Sequence, residues 1–200
     1  MPLANCSLLT PTYPFTNAFL NVQDWGATGN GTTDDDACIK AAIAASKPGD
    51  TIVFPGFDST RAGQAIYMVH GDIHTLPQRG YIGTGGPCGQ GPILRVMAGY
   101  NHAGILVANQ YYTGGTSISA LDAPVYIFNL QLDGNAGASN GTTTNTYGHG
   151  LILYNYQSTV EQVQTYRTCE NGFFLPNANK NNLVPSQVDF IQIFQTTCSN

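Results

Sequence analysis

The chain has 200 residues, 12 acidic against 7 basic side chains, a formal net charge of −5, and only 10% charged residues, well below the roughly 25% usual in soluble domains. Its length suffices for one domain with a sizeable core. The few Lys and Arg form no basic run, which excludes nucleic acid as a partner because phosphate neutralisation needs clustered cations, and no apolar stretch approaches the roughly 18 residues of a membrane span.

In chain order, Met1 to Thr16 has neither a basic leader region nor a continuous apolar core, so no secretory signal is visible. Residues Met1 to Leu20, with Pro11 and Pro14, read as an extended arm (1–20), and 21–200 as one domain. The pattern predicts a helix over Asp34 to Ser46. Thr33 or Asp34 is its N-cap, the Asp triplet 34–36 faces the positive helix end, and Ile39, Ala42 and Ile43 share a face. Lys47-Pro48-Gly49-Asp50 stops it. Thr51 to Phe54 reads as a buried strand ended by Pro55-Gly56, and a loop Phe57 to Ala65 leads into Ile66 to Val69. Further strand-like runs are Tyr81-Ile82, Ile93 to Met97, Ile105 to Ala108, Val125 to Leu132, Leu151 to Tyr154, Val160 to Tyr166, Phe173 to Leu175 and Val188 to Phe194. Gly83-Thr84-Gly85-Gly86 and Gly89-Gln90-Gly91 are turn sequences without the Lys-Ser/Thr of a phosphate loop.

Internal repetition points to a solenoid. Gly104-Ile105-Leu106-Val107-Ala108-Asn109 aligns with Gly150-Leu151-Ile152-Leu153-Tyr154-Asn155 and with Gly172-Phe173-Phe174-Leu175-Pro176-Asn177, which suggests coils of about 22 residues, with two coils between the first pair. Val160-Glu161-Gln162-Val163-Gln164 likewise aligns with Val188-Asp189-Phe190-Ile191-Gln192. Thr168-Cys169-Glu170-Asn171 recurs as Thr197-Cys198-Ser199-Asn200 just before the chain stops, so the reading is of a solenoid truncated within a coil, with Cys169 and Cys198 at equivalent turns as a disulfide candidate. The five cysteines have no zinc-ligand spacing; one or two disulfides and five buried thiols both fit them.

The segment Asn21-Val22-Gln23-Asp24-Trp25-Gly26-Ala27, with Gly29-Asn30-Gly31-Thr32-Thr33-Asp34-Asp35-Asp36 after it, resembles the N-terminal entry motif of the pectate-lyase-like superfamily, where a strand leads through a Gly-rich turn into a capping helix. The resemblance implies an all-β fold, a right-handed parallel β-helix with a short N-terminal capping α-helix. It also implies the N-terminal part of a secreted polysaccharide-degrading enzyme, a glycoside hydrolase or a polysaccharide lyase, with polysaccharide as partner. No cofactor is expected, except Ca²⁺ if the chain is a lyase. Two other readings stand beside this one: a non-catalytic glycan-binding tailspike or surface module, which would be a homotrimer, and a structural element of an extracellular fibre assembling end to end. The amide- and hydroxyl-rich composition suits an extracellular or virion-surface location.

Glycosidic cleavage needs an acid with a base or nucleophile. Asp133, in Leu132-Asp133-Gly134-Asn135, and His149, in Gly148-His149-Gly150, look like a fragment of the polygalacturonase set, although Asp-Gly-Asn is also a common turn. Glu161 and Asp189 occupy equivalent repeat positions, as an acid/base pair or as a solvated acidic ladder. Asn145, Tyr147, Tyr154 and Tyr156 are candidate sugar contacts, since Tyr can stack on a sugar ring and bond to its hydroxyls. No spacing of histidines matches a metal site.

Overall fold

The structure, a computed structural model, describes residues 17–86, 90–108, 125–137, 144–153, 158–174, 187–189 and 192–193. It is mostly β, and every pairing between its strands is parallel. The first sheet is β1 (Phe19–Asn21), β3 (Thr51–Phe54), β6 (Gly80–Gly83), β9 (Tyr126–Phe128), β12 (Thr159–Glu161) and β15 (Gln187–Asp189), in that order. The second is β2 (Asn30–Asp34), β4 (Ile66–Val69), β7 (Ile93–Val96), β10 (Gln131–Asp133), β13 (Gln164–Tyr166) and β16 (Gln192–Ile193). The third is β5 (Ile73–His74), β8 (Gly104–Ala108), β11 (His149–Leu153) and β14 (Phe173–Phe174). From β3 onward the chain visits the three sheets in a fixed rotation.

The core follows from the two-residue period of a strand. One position in each sheet repeats as an apolar column across paired strands. In the first sheet it is Leu20, Ile52, Tyr81, Ile127 and Val160, all essentially without solvent exposure. Tyr67, Leu94 and Leu132 form the column of the second sheet, which ends on the buried but polar Thr165, and Ile73, Leu106, Leu151 and Phe173 form that of the third. Each fully buried Leu or Ile contributes about 2 kcal/mol by removal from water. The two tyrosines in these columns keep their hydroxyls bonded: Tyr81 accepts from the Leu76 amide at 2.6 Å, and Tyr67 donates to the Pro55 carbonyl at 3.1 Å. Burial pushes both phenols well above their usual range.

Two expected strands each divide in two. Val125 to Leu132 becomes β9 and β10, and Val160 to Tyr166 becomes β12 and β13, because Asn129 and Gln162 adopt left-handed conformations, each with φ 53°, and turn the chain from the first sheet into the second. The Asn129 amide donates to the Glu161 carbonyl at 3.0 Å, so one corner is hydrogen-bonded to the next. Gly83 and Gly91 lie against the Asn129 carbonyl, where a Cβ would collide, which is the physical content of the turn reading there. The entry segment also differs from expectation. Val22–Trp25 is a 3-10 helix rather than a strand, with Asn21 capping it through Gln23 N–H and Gly26 in the left-handed region ending it. Strand pairing begins at Phe19, inside the expected arm.

The helix α1 (Asp36–Ala45) buries Cys38, Ile39, Ala42 and Ile43 and packs against the 3-10 helix and β4. Its N-cap is Asp35, not Thr33 or Asp34. Thr33 lies within β2 and accepts from the Asn30 amide side chain, while Asp34, the last residue of β2, accepts from the Asp36 N–H at 3.1 Å, a bond at the helix entrance one residue out of register with a standard cap. The Asp35 carboxylate turns backward, accepting from Thr28 N at 2.7 Å, Thr28 Oγ1 at 3.1 Å and Gly29 N at 3.1 Å, and so ties the Gly-rich turn to the helix start. Burial raises its pKa, and those bonds only partly oppose it.

The repeat alignment is corrected at one point. Gly150 and Gly172 align as expected, with Leu151 opposite Phe173, and Val160 and Glu161 lie opposite Val188 and Asp189. Between β8 and β11, however, Leu106 lies opposite Leu151, one residue off the sequence alignment, and the two strands are direct neighbours rather than two coils apart. Their spacing in the chain therefore reflects long connections within one circuit of the sheets.

Candidate functional site

The third sheet carries a second row of side chains, on the face opposite its core column: His74, Val107, Ile152 and Phe174, in register across the four strands. Val107 and Ile152 form an apolar cluster separate from the main core, with Phe174 packed against it. This row floors a pocket of about 500 Å³, walled by Asp72 and Ala103 on one side and by Tyr147, His149, Glu170 and Asn171 on the other. A smaller pocket of about 320 Å³ shares Asp72 and His74 and extends toward Lys40, Ile43 and Ala44 of α1, so the two form one groove.

His149 opens β11 and is fully engaged. Its Nε2 lies 2.9 Å from Glu170 Oε2, its Nδ1 accepts from the Asn171 amide at 3.1 Å, and its ring stacks on Phe174 at 4.4 Å with planes 15° apart. An Nδ1 that accepts leaves the proton on Nε2, directed at Glu170. Burial holds His149 below the usual imidazole range although Glu170 opposes it, so the neutral ring is the resting form. Both nitrogens are committed, so the ring has no free lone pair with which to act as a base. Beside it, Gly148 has φ 134° and packs on His102, whose side chain a Cβ there would strike.

Asp72, in a left-handed turn with φ 49°, accepts from Ala103 N at 2.9 Å and Gly104 N at 3.3 Å through one oxygen. Tyr147 is half exposed at the rim. The groove therefore combines flat apolar and aromatic surface with hydrogen-bonding groups from Asp72, Glu170, Asn171 and Tyr147, the composition expected of a site for a flat, hydroxylated ligand.

The residues expected to act together are distributed over different sheets. Asp133, on the second sheet, has no exposure and is held by two guanidiniums: Arg95 Nε lies 2.6 Å from Oδ2, Arg167 Nε 2.8 Å from Oδ1, and Arg167 Nη2 also donates to Oδ2. It also accepts from Asn135 N at 2.8 Å, which is the turn reading of Asp-Gly-Asn. Its carboxylate is thus structural, which corrects the expectation of a catalytic role beside His149. Glu161 and Asp189 are in register on the first sheet, away from the groove, and Glu161 bonds to the Tyr126 hydroxyl; the Asp189 side chain lies outside the described residues. Asn145 is buried and structural, accepting from Gly99 N at 2.8 Å and donating to Met97 O at 3.0 Å, so it is not a sugar contact. Of the four expected sugar contacts only Tyr147 lines the groove; Tyr154 and Tyr156 lie outside the described residues. Cys38 and Cys169 are each disulfide-bonded, and Cys198 lies outside the described residues.

Sequence reasoning missed Asp72, Glu170, Asn171 and Phe174 as site residues. In the sequence Glu170 to Phe174 read as part of the coil repeat, and Asp72 belongs to a Gly-Asp turn with no motif around it. The Asp triplet needs no ligand: Asp34 pairs with His70 Nε2 at 2.8 Å and Asp36 with Lys40 at 2.9 Å. Among the described residues, no group of three or more His, Cys, Asp and Glu is disposed to hold a metal ion, and no helix is long and apolar enough to cross a membrane.

The chain matches no protein-family model, and none of the curated proteins compared with it matches either.

Proposed function

We propose that the chain winds as a right-handed parallel β-helix and binds a polysaccharide in the groove on the outer face of β5, β8, β11 and β14, as an extracellular or virion-surface protein. The rotation of the chain through three parallel sheets and the three apolar columns support the winding. The observation that carries the binding reading is the His149–Phe174 stack, set beside exposed Tyr147 and within reach of Asp72, Glu170 and Asn171. An aromatic ring lining the groove can take the apolar side of a sugar on the face that its stacked neighbour leaves free, and the surrounding groups can bond to the sugar hydroxyls. A glycan array probed with the intact chain tests this. Binding that falls at least tenfold in Phe174→Ala and in Tyr147→Ala is expected, and no binding to any glycan would reject the reading.

One observation favours hydrolysis as a second reading: two carboxylates, Asp72 and Glu170, line the same pocket, as an acid and a base or nucleophile of glycosidic cleavage must. Release of reducing sugar that disappears in Glu170→Gln is the expected result, whereas binding without turnover would leave the protein a glycan-binding module.

A further inference from the structure

We infer that the groove selects uncharged glycans and turns away polyanionic ones, an inference that rests on the glycan-binding reading above. The groove's electrostatics point one way. The larger pocket is lined by two carboxylates, Asp72 and Glu170, and by no Lys or Arg among the described residues. Its two histidines do not compensate: His74 is exposed, and His149 is held neutral by burial with its Nε2–H directed at Glu170. The one cation at the far end, Lys40, lies 2.9 Å from Asp36 and 3.2 Å from the Gly71 carbonyl. Of the other described cations, Arg95 and Arg167 hold Asp133, Arg79 bonds to Ser46 and to the Pro77 carbonyl, and Lys47 and Arg61 line neither pocket. The chain as a whole adds a net charge of −5.

A uronate or sulfated sugar in the larger pocket would place its anion against two carboxylates with no Lys or Arg among the described lining residues to bind it, and like charges so arranged repel. The hydrogen-bond inventory agrees. An ionised carboxylate only accepts, so Asp72 and Glu170 match the hydroxyl donors of a neutral sugar and offer nothing to another carboxylate. Asp72 already accepts two backbone N–H groups through one oxygen, and this orients the other as a fixed acceptor. The apolar floor of Val107, Ile152 and Phe174 then takes the unsubstituted ring face.

The test is calorimetry or array binding of the intact chain at neutral pH and low salt, using neutral oligosaccharides (glucan, mannan, xylan and galactan fragments), polygalacturonate, alginate and chitosan oligomers. At least one neutral glycan should bind, and the polyuronates should bind at least tenfold more weakly. That gap should narrow as salt is raised, because screening shortens the reach of the carboxylates. It should also narrow in the Asp72→Asn/Glu170→Gln double variant, whose amide oxygens can still accept the Ala103 and His149 N–H groups. Polyuronate binding as tight as neutral binding, a gap indifferent to salt and to the double variant, or a preference for chitosan over every neutral glycan would overturn the inference while leaving the groove a glycan site. Failure of all glycans to bind would overturn the underlying reading as well. If the double variant does not fold, the salt series on the unaltered chain decides.

Discussion

Asp133 gathers two guanidiniums, that of Arg95 in register on the neighbouring strand β7 and that of Arg167 just past the end of β13. Burial disfavours the charge on Arg167, but the bonds and charge of Asp133 outweigh this and hold the guanidinium above its ordinary pKa. Burial likewise pushes the neighbouring Tyr166 phenol up to about 12, with the Asp133 charge adding to it. Asp133→Ala would strand two partly buried cations, and we expect it to cost about 3 kcal/mol in urea denaturation with glycan affinity unchanged, an outcome that separates this carboxylate from the groove. Histidines set the acid limit. His102 is buried between Gly71 and Gly148, neither ring nitrogen has a partner in good hydrogen-bond geometry, and burial depresses its pKa although Asp72 opposes this, as burial also depresses that of His149. Both imidazoles titrate below the ordinary histidine range in the folded chain and return to it on unfolding. Between the folded and unfolded pKa values the unfolded chain binds more protons, so acidification favours unfolding. The thermal midpoint should therefore fall between about pH 7 and pH 5, and fall less in His102→Gln than in a control at exposed His74.

At the scale of elements, the start of α1 shows why local pattern and final geometry differ. Thr33, Asp34, Asp35 and Asp36 are all good capping residues, so composition alone cannot choose among them. Tertiary contacts choose: β2 pairs with β4 through Asp34, which engages Thr33 and Asp34 in the sheet and leaves Asp35 at the cap position with its carboxylate facing the Gly-rich turn. Asp35→Ala removes three accepted bonds and leaves the Thr28 and Gly29 amides unpaired, so we expect a loss of about 2 kcal/mol, read by thermal or urea unfolding. The corners at Asn129 and Gln162 teach the same lesson. Asn129 tolerates the left-handed region well but Gln162 carries no such signal, and the apolar residues on either side make both runs read as continuous strands; the corner at each is fixed by pairing with the neighbouring strands.

For the whole molecule, Cys38 inside α1 and Cys169 beside the groove are both disulfide-bonded. Reduction should lower the thermal midpoint, each lost disulfide costing about 2–5 kcal/mol. Peptide mapping without reduction should link Cys169 to Cys198 if those two turns are equivalent, and alkylation of Cys198 in the intact protein would end that pairing. By itself the sequence determined that this chain is built of short strands behind a small N-terminal helix, because alternation of apolar residues between Gly and Asn punctuation is a local signal with a strand's period; parallel pairing was implied only by the repeats and the resemblance of the entry segment. Only the tertiary structure decided the register and the site. A one-residue slip moves every side chain to the opposite face, and it is the Leu106–Leu151 register that puts Val107 and Ile152 on the groove floor. Asp72, His149, Glu170 and Phe174 meet because connections of unequal length bring four distant strands to one face, and connection length leaves no periodic trace in the residues themselves.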